Sequence, residues 1–155
     1  MGTYAIMKSL HILSAMVLFG TGLGIAFFFW MGGRSGDDRV ALFAARATLI
    51  ADLLFTLTAV VAQPLTGAWL VWRGGFDPLQ HWLVASYALY LVAGACWIPV
   101  VCIQLRIRDQ LQSKIAGRPF DQVAHARLRA WWFVLGWPAF LALIAVVHLM
   151  VSKPS

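Results

Sequence analysis

Four long apolar segments constrain this chain more than any other feature of its sequence. They cover about residues 4–31, 41–72, 79–107 and 124–151, and each is long enough to cross a bilayer, which takes roughly 20 apolar residues. In lipid such a segment must form a helix, because its backbone N–H and C=O groups have no water to bond. The sequence therefore predicts an all-α, antiparallel four-helix transmembrane bundle that uses residues 1–155 as a single domain.

The composition agrees with a membrane protein and argues against several soluble classes. Hydrophobic residues make up 61% of the chain and charged residues 12%, whereas a soluble domain carries about 25% charged residues. The net charge of +6 is not accompanied by a soluble basic face with exposed aromatic residues, so no nucleic-acid partner is expected. The nucleotide-binding, hydrolase and H-E-x-x-H zinc motifs are absent from the sequence, which argues against ATPase and ordinary hydrolase chemistry.

The lysines and arginines are distributed unequally between the two sides of the predicted bundle. Three lie at the termini and in the 2–3 turn: Lys8, Arg73 and Lys153. Nine lie in or beside the 1–2 and 3–4 loops: Arg34, Arg39, Arg46, Arg106, Arg108, Lys114, Arg118, Arg127 and Arg129. Cytoplasmic loops carry the excess of basic residues. We therefore expect a multi-pass protein of a bacterial inner membrane, with both termini in the periplasm.

His11 is the most informative single residue, because it lies inside the otherwise apolar first segment. An ionisable or metal-binding side chain within a span is costly, which makes it a functional-site hypothesis by default. Helical rise places it about 10 Å into the first helix. His148, near the end of the fourth segment, is expected at a similar depth from the same face, and His81 nearer the surface. His125, in the 3–4 loop, is interpreted as a solvated surface residue.

Two imidazoles that face each other in an apolar bundle are natural axial ligands of haem b. On the His11 face, Gly22 and other small residues would leave room for a flat macrocycle, and Trp137 would form an apolar wall beside His148. The predicted iron ligands are His11 and His148, with His81 in reserve, and the other predicted cofactor contacts are Gly22, Trp137 and Gln63. The competing interpretation is that each histidine only hydrogen-bonds a neighbouring helix and binds no metal.

The second segment carries a polar stripe, which consists of Asp52, Thr56, Gln63 and Thr66. Lipid does not tolerate such residues on an exposed face, so the stripe is expected to point into the bundle. Asp52 has two interpretations, a proton-transferring or catalytic acid and a structural partner of Arg46, Arg106 or Arg127. Pro64 is expected to bend the helix and to free a backbone carbonyl.

Short motifs along the whole chain resemble those of a known family. They are KSLHILSA at 8–15, ADLLFT at 51–56, QPLTG at 63–67, WIPVV at 97–101, GWP at 136–138 and LMVSKP at 149–154. Together they resemble a bacterial family of predicted four-helix integral membrane proteins of unknown function. The resemblance extends more distantly to the copper-resistance-D group and to HemJ-type protoporphyrinogen oxidases, which share the early K-x-L-H helix start and the late Lys-Pro ending.

The distant relatives bind haem b through a first-helix histidine, so the resemblance implies haem b at His11. The chain also departs from them. The stretch 82–103 contains no Lys or Arg, where those enzymes carry a basic residue, and the Gly-rich stretch 31–36 replaces their R-x-x-x-x-H element. Both departures argue against protoporphyrinogen oxidase activity. His148 stands where the family of unknown function is expected to carry an aromatic residue, so a bis-histidine site would be particular to this chain.

The leading hypothesis is a haem b-binding protein that carries out electron transfer or a haem-linked oxidation between a periplasmic partner and the quinone pool. An enzyme of this kind would be a haem-dependent membrane oxidoreductase. The alternative is a non-enzymatic accessory subunit, scaffold or small-solute handler. Copper handling is a variant of this alternative, suggested by Met150 and the outer histidines. Gly20 and Gly24 form a G-x-x-x-G that permits a homodimer.

Overall fold

The computed structural model describes residues 2–154, and this part of the chain forms four long helices. Helix α1 spans Gly2–Arg34, α2 spans Asp38–Gly74, α3 spans His81–Ile115 and α4 spans Gln122–Ser152. Each helix is long and apolar enough to cross a membrane. The predicted all-α transmembrane bundle is therefore confirmed.

Helix α3 continues well past the predicted end at 107. Its last turns, from Arg108 to Ile115, are rich in Arg, Gln and Lys, which are polar but favour helices. The helix therefore continues beyond its apolar part, and its end is set by turn chemistry rather than by loss of hydrophobicity. Gly117 has a φ of +71°, a left-handed conformation that glycine adopts without strain. Asp121 then caps the start of α4, because its carboxylate accepts hydrogen bonds from two backbone N–H groups of the first turn.

Helix α2 is irregular at two points. A π-helical turn covers Asp52–Thr56, and such turns locally widen an α-helix. Pro64 lies further along and has no N–H, so the carbonyl of Val60, four residues earlier, loses its helical partner. The Tyr90 hydroxyl on α3 donates to this carbonyl at 2.7 Å. The carbonyl that Pro64 was predicted to free is thus hydrogen-bonded by the neighbouring helix.

The packing divides the bundle into two ends. The "loop end" contains the α1–α2 and α3–α4 loops, and the "terminal end" contains both termini and the α2–α3 turn. One core cluster lies toward the loop end: Ile25, Phe29, Ala45, Val100, Ile103, Ile107, Leu111 and Trp132. The close backbone approach of α2 to α3 involves the Asp38–Ala51 part of α2. Helices α1 and α2 pack along most of their length, and so do α3 and α4, so two hairpins are joined mainly at the loop end.

Aromatic side chains and one arginine connect the two hairpins. The rings of Phe29 on α1 and Trp132 on α4 are stacked with centroids 4.6 Å apart, and Phe19 and Phe140 form a second pair at 4.8 Å. At the loop end, Arg129 of α4 donates to the Gly33 carbonyl at 2.9 Å. Large rings thus bridge α1 and α4, whose backbones approach closely at few points.

The outside of the bundle is apolar, as expected for helices that contact lipid. Leu91 is 72% exposed and Phe28 63% exposed. A soluble bundle would instead place polar residues on these faces. The four helices therefore form an integral membrane protein whose outer surface contacts the bilayer.

Candidate functional site

His11 is held against α2 near the terminal end of the bundle. Its Nδ1 lies 2.8 Å from the Thr66 hydroxyl oxygen, and the residue is partly buried. Gly67 makes this approach possible, because a Cβ at that position would lie 3.2 Å from Cε1 of the histidine ring. The imidazole therefore packs flush on the backbone of the neighbouring helix.

The hydrogen bonds around Thr66 fix the role of each imidazole nitrogen. The Thr66 Oγ1 lies 2.6 Å from the Ala62 carbonyl, and between these two oxygens only the hydroxyl can donate. Its lone pairs then accept a hydrogen bond, so Nδ1 of His11 is the donor. When the ring is neutral, Nε2 then carries the free lone pair. Metal-binding histidines commonly have this arrangement, in which the other ring nitrogen donates to a protein acceptor.

Gln63 fastens the same point of α1 to α2. Its Nε2 donates to the His11 carbonyl at 2.8 Å and to Ser14 Oγ at 2.7 Å, while the Ser14 hydroxyl donates to the His11 carbonyl at 3.0 Å. Gln63 was predicted as a cofactor contact, but its amide nitrogen is engaged in joining the two helices. It acts on His11 by positioning the backbone that carries it.

The predicted polar stripe of α2 faces inward, as expected. Asp52, Thr56 and Thr66 are buried and Gln63 is partly buried. The stripe then divides into two sites, because Thr66 and Gln63 hold His11 whereas Asp52 and Thr56 lie with α3. Their separation along the helix, with Ala59 between them, keeps the two sites apart.

Asp52 lies in a buried polar cluster rather than in a salt bridge. The indole N–H of Trp97 donates to its Oδ1 at 3.1 Å, and Thr56 and Gln104 lie beside the carboxyl. Within residues 2–154 Asp52 forms no ion pair, so the predicted pairing with Arg46, Arg106 or Arg127 is wrong. The π-helical turn begins at Asp52, and a changed helical phase is a physical reason why spacing alone could not identify Trp97 as its partner.

This polar cluster is incompletely bonded. Gln104 is fully buried, and both of its side-chain polar atoms lack a hydrogen-bond partner in the described chain. Thr56 is 4% exposed, and its hydroxyl also has no hydrogen-bond partner within 3.5 Å among the described residues. Buried polar groups normally find partners, and the polar group beside both of these side chains is the Asp52 carboxyl.

The predicted partners of His11 on the other helices lie on exposed surfaces. His148 is exposed, and on the same face of α4 Trp137 is 61% exposed and Leu141 56% exposed. The predicted apolar wall is thus an outer surface of this single chain, and α4 instead meets α1 through Phe140 and Trp132. His81 is also exposed. The described contacts do not bring His148 or His81 against His11.

The structure agrees with the open space predicted beside Gly22 but not with the exposed position predicted for His125. Gly22 has open space around it, since a Cβ there would meet no atom within 4 Å. His125 is not a freely solvated residue as predicted, because it is partly buried and its Nδ1 lies 3.0 Å from Gln110 Oε1. Because that oxygen can only accept, the histidine donates, and the pair connects the start of α4 to α3.

A metal centre made of protein ligands alone is not preformed in residues 2–154. No three His, Cys, Asp or Glu side chains in that range converge to hold an ion. A single histidine with a free Nε2 instead suits a metal that brings most of its own ligands, as a metalloporphyrin does.

Comparisons with known proteins define the family. No curated protein matched the chain, and no solved structure matched it. A family model described as "Predicted integral membrane protein (DUF2269)" matches residues 5–154. The match covers all four helices, including His11 and the polar residues of α2 that hold it. The chain therefore belongs to the DUF2269 family of predicted integral membrane proteins.

Proposed function

We propose that this protein binds haem b through Nε2 of His11 and takes part in electron transfer or haem-linked oxidoreduction. One observation carries the proposal, the hydrogen bond between Nδ1 and Thr66, which in a neutral ring leaves the lone pair on Nε2. A neutral imidazole with a fixed ring and a free nitrogen is the form that ligates iron. When bound, haem would supply a one-electron couple within the apolar bundle.

The residues around His11 are compatible with a flat apolar ligand. Gly67 lets the ring lie against α2, and the space beside Gly22 is open. The core cluster lies toward the other end of the bundle. Thr66 and Gln63 would act as positioning residues, the first through the imidazole and the second through the backbone.

Our proposal for the second axial ligand is His148, with His81 in reserve. Both are exposed in the single chain, so His11 alone carries the argument for haem. Two histidine ligands would leave no open iron position and would favour electron transfer. A single histidine would leave one position open and would favour chemistry on a bound small molecule.

The proposed cellular setting follows from the basic residues. The loop end would face the cytoplasm of a bacterial inner membrane and the termini the periplasm, which puts His11 near the periplasmic face. The electron partners would then be a periplasmic redox protein and membrane quinone. A homodimer could form through Gly20 and Gly24, because a Cβ at either position meets no atom of the same chain within 4 Å.

The primary test is the reduced-minus-oxidised absorption spectrum of protein purified from cells with ample haem. We expect a Soret band in wild type, its loss in His11→Ala and its retention in His125→Ala, which removes a histidine at the opposite end. Loss of the band in His148→Ala would assign the second ligand, and loss in His81→Ala would assign the reserve. A wild-type spectrum without the band would reject the proposal and leave the scaffold or solute-handling alternative.

A second experiment separates ligation from mere packing. Thr66→Val removes the acceptor of the Nδ1–H while nearly conserving side-chain volume, and Thr66→Ser keeps it. Loss of such a partner typically weakens metal affinity by about 10- to 100-fold. We expect Thr66→Val to lower haem retention and shift the midpoint potential, and Thr66→Ser to restore both. Equal retention and potential in the two variants would contradict the positioning role.

A further inference from the structure

A groove with charged and apolar lining residues opens at the loop end between α3 and the start of α4. Its volume is about 560 Å³, and its lining includes Arg106 of α3 together with Arg127, Leu128 and Trp131 of α4. It lies where the apolar parts of these two helices give way to the charged loop. That is the level at which lipid headgroups meet a transmembrane protein.

Two arginines and two aspartates line the groove, and the two aspartates already have partners. Asp109 is bound by its neighbour Arg108, whose Nη2 lies 2.7 Å and Nε 2.9 Å from Oδ1. Asp121 accepts the N–H groups of the first turn of α4 through its Oδ1. Both carboxylates that line the groove are therefore already engaged.

The guanidinium groups of the two arginines that line the groove are not paired in this way. Within residues 2–154, neither Arg106 nor Arg127 forms a side-chain hydrogen bond or an ion pair, and both residues are exposed. Arginine binds phosphate oxygens in a planar, two-pronged geometry. The groove thus presents two available phosphate-binding groups.

Two apolar lining residues of α4 are suited to contact the part of a phospholipid below its phosphate. Trp131 is 58% exposed at a position typical of interfacial anchors, and Leu128 adds an apolar wall on the same helix. Basic pockets between transmembrane helices are suited to anionic lipid headgroups. We infer that this groove binds the headgroup of an anionic phospholipid, with its phosphate between Arg106 and Arg127 and its acyl chains against the outer surface of α3 and α4.

The test is native mass spectrometry of the full chain with phosphatidylglycerol or phosphatidylcholine of identical acyl chains. Two arginines near the membrane surface should favour the anionic lipid by about tenfold or more. We expect this preference in wild type and its loss in the double variant R106Q/R127Q. The matched control R118Q removes one charge from the same loop outside the groove and should keep the preference.

A charge-conserving variant and a competitor complete the experiment. R106K/R127K should keep most of the preference, which separates a charge effect from a folding defect in the glutamine variant. Inorganic phosphate should not displace the lipid, because it lacks the acyl chains. The inference would be overturned by an undiminished preference in R106Q/R127Q, by an equal loss in R118Q, or by full displacement with inorganic phosphate.

Discussion

The contact between Tyr90 and the Val60 carbonyl predicts a specific coupling between two helices. Pro64 removes the helical donor for that carbonyl, and the Tyr90 hydroxyl replaces it at 2.7 Å. Tyr90→Phe would therefore leave the carbonyl without a partner inside the bundle. In the Pro64→Ala background residue 64 has an N–H again, the helical bond can form, and the tyrosine hydroxyl is no longer needed.

The magnitude follows from hydrogen-bond energies in membranes. Interhelical hydrogen bonds contribute about 0.6 kcal/mol on average and up to about 1.7 kcal/mol, and an abandoned buried acceptor costs about 1–3 kcal/mol. We expect Tyr90→Phe to lower the free energy of unfolding by about 1–2 kcal/mol in wild type. In the Pro64→Ala background we expect a cost near zero, so the coupling energy is about 1 kcal/mol or more.

A double-mutant cycle measures this coupling. The free energy of unfolding of the four proteins can be obtained from reversible denaturation in mixed micelles, followed by helical circular dichroism. Tyr87→Phe is the matched control, because Tyr87 lies one turn earlier on α3, is exposed, and forms no side-chain hydrogen bond in the described chain. Equal costs of Tyr90→Phe in both backgrounds would refute the reasoning, as would a control variant that is equally destabilised.

Three further predictions concern stability, each measured as the change in the free energy of unfolding. Gly32→Ala should cost about 1–3 kcal/mol, because the added Cβ would collide with the Cβ of Ala44 on α2; an unchanged stability would contradict that close approach. Asp52→Leu should destabilise more than Asp52→Asn, since only the amide can still accept from the Trp97 indole; the reverse order would show that burying the polar group outweighs this bond. Lys114→Gln should cost no more than about 1 kcal/mol, because its ion pair with α2 is exposed, and a larger loss would reveal an unrecognised role in the loop end.

The fold could be predicted from the sequence because the bilayer leaves a chain of this composition few options. Four apolar segments dictate four helices, and the stripe on α2 had to face inward. The end of α3 was harder to predict, because residues 108–115 are polar but helix-forming. Hydropathy describes where a helix leaves the membrane, whereas a turn residue such as Gly117 determines where it ends.

The candidate site was predictable only in part. The rarity of His11 in an apolar span identified it, and the spacing of Gln63 and Thr66 placed them on one face. Their hydrogen bonds to His11 depend on how α1 packs on α2, which no single-helix pattern contains. The position of His148 illustrates the same limit, because similar depth on two helices does not determine whether two side chains face each other.

The partner of Asp52 illustrates a different limit. Charge complementarity pointed to an arginine, whereas the structure uses the Trp97 indole. A π-helical turn shifts the phase of every residue that follows it, and short sequence patterns do not signal such a turn. The indole N–H of a tryptophan is also a donor that needs an acceptor when it is buried.

The position of the core has a consequence for the covalent chain. The two hairpins are joined mainly at the loop end, whereas the connection between α2 and α3 lies at the terminal end. Cleavage of the α2–α3 turn would therefore break the chain at the end of the bundle where the two hairpins pack least against each other. Two polypeptides, one carrying α1 and α2 and the other α3 and α4, should recognise each other through the packed end, so that the present single chain corresponds to a heterodimer of helical hairpins with a covalent link.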